Sequence, residues 1–358
     1  MASEPSYPST KYLWLDCDPG HDDAIAILLA LYLPGVQLLG ISTVHGNASQ
    51  YNTFCNAIRL LYAYGASDSI QVYPGAPQPL LRPTRADPEI HGVDGLGGVI
   101  GLPDPKDTTI RSRYSKSSSV NAVQGLAQAV KKCTSEGNKL YLVATGPLTN
   151  VALFSAIHPE LLSGIGEIIF MGGGVGVGNR SATAEFNILC DPEAAQMVLN
   201  LDLPKVMIPL NVTHTAILTS ELHTRLIQPV GSELSTTVTP LRHMLSSLVG
   251  FFAESYRTTF GFTAGPPIHD ACCLVYLHNP NWFKAKRYRV DVELTGLHTA
   301  GETVVDVWEY ARTDNSWGAV GKNCIVTESM DVRLFFQLVF DCIEECDNVS
   351  PLNASNNV

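Results

Sequence analysis

Four aspartates fall within eight residues of the stretch WLDCDPGHDDAIAILLA (14–30): Asp16, Asp18, Asp22 and Asp23. A helix start accepts one or two carboxylates as caps and dipole partners, each stabilising by roughly 0.3–1 kcal/mol. Four need another explanation, because crowded anions repel and raise one another's pKa unless a cation or a proton sits among them. An all-carboxylate set favours a hard ion, Ca²⁺ or Mg²⁺, over zinc. The spacing is not that of an EF-hand loop, so further oxygens must come from elsewhere in the chain. One source is GPPIHD (265–270), where a proline pair prepares a helix entry and sets His269 and Asp270 at its start. Taken alone, Asp270 reads as a helix cap and His269 as a structural histidine.

The elements that must position these groups follow from hydrophobic periodicity. KYLWLD is strand-like, 22–33 helix-like, VQLLGISTV (36–44) a buried strand and 50–64 a second helix. The alternation continues with a helix around 120–132, strand KLYLVAT (139–145), a helix from about Leu148, strand EIIFMGGG (167–174), a helix over 192–200 and strand KVMIPL (205–210). This order predicts an α/β fold with a doubly wound, mostly parallel central sheet flanked by helices. The Pro- and Gly-rich segment 73–105 reads as a long loop over the sheet. Beyond it, the spacing predicts a helix from Leu245, strand-like pieces near 288–295 and 303–308, and a closing helix around 330–343. Residues 1–10 read as a flexible extension, 11–345 as one domain and 346–358 as a frayed tail.

Ligands of open parallel sheets bind beyond the C-terminal strand ends. The residues there are the four aspartates, Asn47, Thr145 with Gly146, and three glycines followed by Asn179.

With 45% apolar and 16% charged residues among 358, the chain can bury a large core. A net charge of −11 and the lack of an extended basic cluster argue against nucleic acid or an anionic membrane as partner. The N-terminal residues lack signal-peptide features and no apolar run reaches membrane-spanning length, which points to the cytoplasm. Nine cysteines without a CxxC pair suit reduced thiols. Sequons occur at Asn47, Asn179 and Asn211, among others.

DCDPGHDDAIAILLA, TGPLTN, MGGGVGVGNRSATAEFN followed by DPEAA, NVTH and GPPIHD occur here in the order found in nucleoside hydrolases. Over residues 11–345 the chain resembles the inosine/uridine-preferring family, in particular its fungal uridine nucleosidases. The resemblance implies Ca²⁺-dependent hydrolysis of the N-glycosidic bond of a ribonucleoside, in a homodimer or homotetramer. It places the metal on Asp18, Asp23, Asp270 and the Thr145 carbonyl, with Asp18 as the base that deprotonates a calcium-bound water. It assigns Asp22 to the 2′-hydroxyl, Asn47 and Asp270 to the 3′-hydroxyl, and Asn179, Glu185 and Asn187 to the 5′-hydroxyl. Met171 would lie beneath the sugar, His269 would face the leaving base, and His91 would belong to a mobile lid. Asn211, His214 and Tyr256 are further pocket candidates, and residues 215–247 would shape the base pocket. Asp16 remains outside the scheme and is expected to orient the loop through hydrogen bonds to its backbone.

Three other readings are open to the same residues. The DxD at Asp16 and Asp18 is that of haloacid-dehalogenase phosphatases, but Gly20 stands where they carry Thr or Val. GGGVGVGN resembles a dinucleotide loop, but Glu185 and Asp191 come too soon to serve as its ribose acid. The third is a non-catalytic calcium and ribonucleoside binder, against which an intact Asp18 argues.

Overall fold

The computed structural model describes residues 10–117, 119–228 and 238–354. The N-terminal extension, the last four residues and nine residues of the expected base-pocket segment therefore lie outside the described residues, apart from Thr10.

Among the described residues ten strands form two sheets: β1 (Lys11–Cys17), β2 (Val36–Thr43), β3 (Val72–Pro74), β4 (Leu140–Ala144), β5 (Ile165–Met171), β6 (Lys205–Ile208), β7 (Phe283–Tyr288), β8 (Val290–Val292), β9 (Thr303–Val305) and β10 (Cys324–Met330). Eight build the main sheet in the order β3-β2-β1-β4-β5-β6-β10-β7, parallel except for β7, which runs antiparallel along β10. β8 and β9 pair separately. The strand order reverses between β1 and β4, so the crevice at the C-terminal ends of these two strands is the expected ligand position.

Helices cover both faces. One apolar cluster joins helices His21–Tyr32, Gln50–Ala63, Ala271–His278 and Val332–Val349; the other joins Ala122–Ser135, Thr149–Ile157 and Pro192–Leu199. The helix His21–Tyr32 is buried from His21 through Ala30. Its apolar residues have no solvent face, so it packs as a core element and holds its acidic first turn rigidly.

The differences from the sequence reading are local, and they include β3, β7 and a helix at Ser220–Ile227. β10 was not expected, and neither was the helix Thr108–Ser117 inside the connection to β4. The last helix continues past residue 343 to Val349, Cys346 is buried on it, and Ser350 Oγ donates to the Ala63 carbonyl at 2.7 Å. A further turn follows at Pro351–Ala354, so residues 346–354 are packed rather than frayed.

Candidate active site

The acidic stretch turns from β1 into its helix through Gly20, and all four aspartates are at most 5% exposed. Carboxylate oxygens of Asp22, Asp23 and Asp270 lie within 4.8 Å of one another. Asp23 accepts the Gly20 amide at 2.9 Å and the Thr145 hydroxyl at 2.8 Å. Asp270 caps the helix Ala271–His278 by position but makes no side-chain cap bond. Its carboxylate is turned toward the cluster, against the reading as a simple cap.

Asp18 is pinned from both sides. One oxygen accepts the Asn47 amide at 2.7 Å, while the other, Oδ1, is buried with no hydrogen-bond partner. A Cβ on Gly46 would come 2.0 Å from Oδ2 and one on Gly146 would come 2.6 Å from Oδ1, so only glycine fits at either place. Asn47 also donates its side-chain amide to the Asp18 carbonyl at 3.1 Å and to Asp23 Oδ2 at 3.2 Å.

Burial is the largest influence raising the pKa of each acid, followed for Asp18 by Asp23 and for Asp270 by Asp22. Asp18 and Asp270 are pushed well above the carboxylate range and Asp22 to about 7. The Asp270 carboxyl faces those of Asp22 and Asp23. Carboxyl groups stay this close only with a proton or a cation among them. Among the described residues none of the four aspartates joins a salt bridge. Buried, oxygen-only, without a basic partner and with one oxygen unbonded, this set fits a hard divalent cation. The trio brought together is Asp22, Asp23 and Asp270, with Asp22 where the resemblance placed Asp18. The Thr145 carbonyl, expected to face the ion, accepts the Asn187 side-chain amide at 2.8 Å.

A pocket opens beside the cluster, walled by Asp22, Asn47, Thr145, Met171, Asn179, Glu185, Asn187, His91, His269 and Asp270. Asp18 and Asp23 are fully buried and are not part of this wall. Glu185 caps the short helix Phe186–Cys190, accepting amides of Asn187 and Ile188 and that of Gly173. Burial holds its carboxyl near 7 despite those three bonds. Asn179 accepts the Phe186 amide at 2.9 Å, and Asn187 also reaches the Met171 carbonyl and sulfur. The side chains expected around a ribose therefore form one polar wall, cross-braced to each other.

His269 bonds through Nδ1 to the Thr213 hydroxyl and through Nε2 to the Tyr256 hydroxyl, both at 2.7 Å. Burial first, then His214, hold its ring neutral. Tyr256 thereby joins the site, and His214 packs on His269 with centroids 5.5 Å apart. His214, Tyr256, Phe260, Phe262 and Arg180 line a wider chamber that adjoins the pocket at Asn179 and Tyr256.

Two expectations are corrected. Asn211 is exposed and exchanges hydrogen bonds with the backbone of Val175, outside the pocket wall. Asp16 bonds side chains of β2 and of the helix Thr149–Ile157 rather than the loop backbone: it accepts Ser42 Oγ at 2.5 Å and Asn150 Nδ2 at 2.8 Å.

Sequence reasoning missed Asp87, Phe186, Arg180 and Thr213. Asp87 and Phe186 wall the pocket, and Asp87 pairs with Arg180, whose guanidinium lies 5.0 Å from the Phe260 ring centroid. Thr213 lies inside NVTH, but only its neighbours were weighed.

Comparison with known proteins agrees with this fold. The profile of the inosine-uridine preferring nucleoside hydrolase family matches residues 13–337. A pyrimidine-specific ribonucleoside hydrolase RihA of Shewanella woodyi is 39% identical, with 94% of this chain and 98% of the relative covered. A probable ribonucleoside hydrolase of Dictyostelium discoideum is 35% identical, over 94% and 95% of the two chains. Among solved structures, the purine-preferring ribonucleoside hydrolase from Gardnerella vaginalis superposes with a TM-score of 0.81 at 28% identity, covering 95% of this chain and all of that one. On the profile, the curated relatives and the shared architecture, the chain belongs to the inosine-uridine preferring nucleoside hydrolase family, which hydrolyses ribonucleosides.

Proposed function

We propose that this hydrolase cleaves uridine and inosine to free base and ribose, with calcium as its metal and Asp18 as general base. The observation that carries the reading is the buried oxygen-only constellation of Asp18, Asp22, Asp23 and Asp270, unpaired by any basic side chain and adjoining a pocket walled by hydroxyl-binding groups.

Asp18, Asp23, Asp270 and the Thr145 carbonyl would hold the ion, joined by Asp22, whose carboxylate lies within 4.8 Å of those of Asp23 and Asp270. When bound, calcium supplies orientation of the attacking water and of the ribose hydroxyls, since it acidifies water only weakly.

The chain's own residues do the rest. Asp18 accepts the proton of the water as it attacks the anomeric carbon; its Oδ1, buried with no hydrogen-bond partner, is free to take it. The glycosidic C–N bond breaks and the base departs with the bonding electrons. Asp22, Asp270 and Glu185 wall the pocket and, ionised once a cation offsets their mutual repulsion, stabilise the positive charge that develops on the ribose. Asn47, Asn179 and Asn187 hold the remaining hydroxyls, and Met171 floors the sugar.

His269, kept neutral, is a poor free acid; paired with Tyr256 and Thr213 it is suited to hydrogen-bond the leaving base. His91, in the long loop, contacts the substrate from the opposite wall.

Homodimer or homotetramer assembly is supported by the family resemblance and is tested by sedimentation. Nine buried, unpaired cysteines suit the reducing cytoplasm, and no helix among the described residues is long and apolar enough to cross a membrane.

The test is steady-state ribose release from uridine, inosine and cytidine by wild type, chelator-treated enzyme and Asp18→Asn. Undiminished turnover in Asp18→Asn removes Asp18 as the base, and turnover insensitive to chelator removes the metal.

A further inference from the structure

His21 stands between Gly20 and the acidic pair Asp22–Asp23, is fully buried, and has no part in the chemistry assigned above. The polar contacts of its amide and ring run to the loop that carries His91. The His21 amide donates to His91 Nδ1 at 3.2 Å. Because Nδ1 accepts, the ring proton of a neutral His91 resides on Nε2, the opposite edge of the ring. The His21 ring reaches further along the same loop, and its Nε2 lies 2.9 Å from the Gly97 carbonyl, which can only accept.

Gly97 is thus held at both ends, because its own amide donates to the His91 carbonyl at 2.9 Å. The turn from His91 to Gly97 is closed on the His21 imidazole. That imidazole is itself clamped from the helix Pro240–Phe260, with Phe251 parallel to it at 5.1 Å and Phe252 at 5.5 Å. Phe252 also touches the His91 ring, at 5.5 Å.

Space at this junction is scarce. A Cβ on Gly20 would come 2.4 Å from His91 Nδ1, so His91 rests directly on the Gly20–His21 backbone. The two Nδ1 atoms are 3.3 Å apart. With His21 donating from Nε2, no ring proton lies between them. The amide bond, the Gly97 bond and the phenylalanine stack therefore hold the pair, and the imidazole–imidazole contact does not.

We propose that His21 is a positioning residue: through Gly97 and the phenylalanine stack it seats the His91 loop so that His91 presents Nε2–H to the bound ribonucleoside. The metal-bearing helix and the substrate-covering loop are thereby joined at one side chain, so the loop closes in register with the acidic cluster. This inference rests on the reading that His91 contacts substrate.

The experiment is a double-mutant cycle in the full chain with calcium present, reading kcat and KM for uridine. His21→Phe keeps the ring stack and removes both ring nitrogens; His91→Ala removes the group it positions. His21→Phe is expected to lower kcat/KM about tenfold, the loss of one substrate hydrogen bond. The loss is expected to divide between kcat and KM as it does in His91→Ala, and the thermal midpoint is expected to stay near wild type. In the His91→Ala background the same substitution is expected to change kcat/KM by less than about twofold, because the coupled partner is gone. Equal losses in both backgrounds, or no loss in either, overturn the inference while leaving His91 in the site. Wild-type kinetics in His91→Ala overturn both the inference and the reading of His91 beneath it. Should His21→Phe not yield folded protein, His21→Leu, which also lacks both nitrogens, enters the same cycle with the same outcomes.

Discussion

Replacing Gly146 by alanine tests the catalytic reading through a residue that has no side chain of its own. The new Cβ would stand 2.6 Å from Asp18 Oδ1 and 2.9 Å from Val44 Cγ1, against ordinary contacts of 3.4–4 Å. The carboxylate must withdraw by about 0.8 Å, the difference between 3.4 and 2.6 Å. It has nowhere to go, since Oδ2 already sits 2.7 Å from the Asn47 amide. Either that bond breaks as the carboxylate rotates or the β4 end shifts, and both displace the proposed base. Overpacking of this kind costs about 1–3 kcal/mol of stability. A misplacement near 1 Å costs on the order of 10²-fold in rate. Gly146→Ala is therefore expected to retain its fold, melt lower, and release ribose from uridine about a hundredfold more slowly at saturating calcium and substrate. Gly137→Ala is the control: Gly137 has φ of +75° and nothing within 4 Å, so alanine there is strained by about 1 kcal/mol and touches no site. Comparable melting losses with a rate defect confined to Gly146→Ala support the reasoning. A Gly146→Ala enzyme with wild-type kcat refutes it.

Calcium is expected to raise the thermal midpoint of the wild type, by about 4 kcal/mol of stability at a thousandfold excess over Kd. Asp23→Asn and Asp270→Asn should each blunt that rise; a chelator that leaves the midpoint unmoved argues against the ion. His45 is buried with Nδ1 unpartnered, its Nε2 lies 3.0 Å from the Thr149 hydroxyl, and burial lowers its pKa to about 4. Between the unfolded value near 6.5 and that folded value, the unfolded chain holds a proton the folded chain does not. Stability therefore falls as pH falls through this window, by about 3 kcal/mol from His45 alone. Denaturant midpoints of His45→Gln should be correspondingly flatter from pH 6.5 to 4, and parallel curves would dismiss the assignment. Gly250 lies exposed in the helix Pro240–Phe260 with open space around its Cα, so Gly250→Ala should add about 0.5–1 kcal/mol in urea unfolding without altering kcat.

What could be read from the chain alone were features carried by neighbours in sequence. The alternation of periodicities settles a doubly wound sheet, because a buried parallel strand and its covering helix each leave a local pattern. The acidic stretch announces an ion for the same reason: Asp16, Asp18, Asp22 and Asp23 crowd within one strand end and one helical turn, whatever the rest of the chain does. β10 escaped because CIVTESM is buried on only part of its length and runs directly into the next helix. Its place between β6 and β7 is a matter of pairing, not of local pattern. The tertiary structure also sorted residues that look alike in sequence. Asp16 and Asp18 are two positions apart, yet one is tied to Ser42 on β2 and Asn150 on a covering helix, and the other meets Asn47 at the strand end. Asn179 and Asn211 both sit in sequons, yet one walls the pocket and the other faces solvent. Asp87, Arg180, Thr213 and Tyr256 come from four separate segments, and neither the motifs around Arg180 and Thr213 nor the candidacy of Tyr256 tells which of them meet. They become part of the site only where folding brings distant chain together, because hydrogen bonds and ion pairs act over a few ångströms of space and take no account of distance along the sequence.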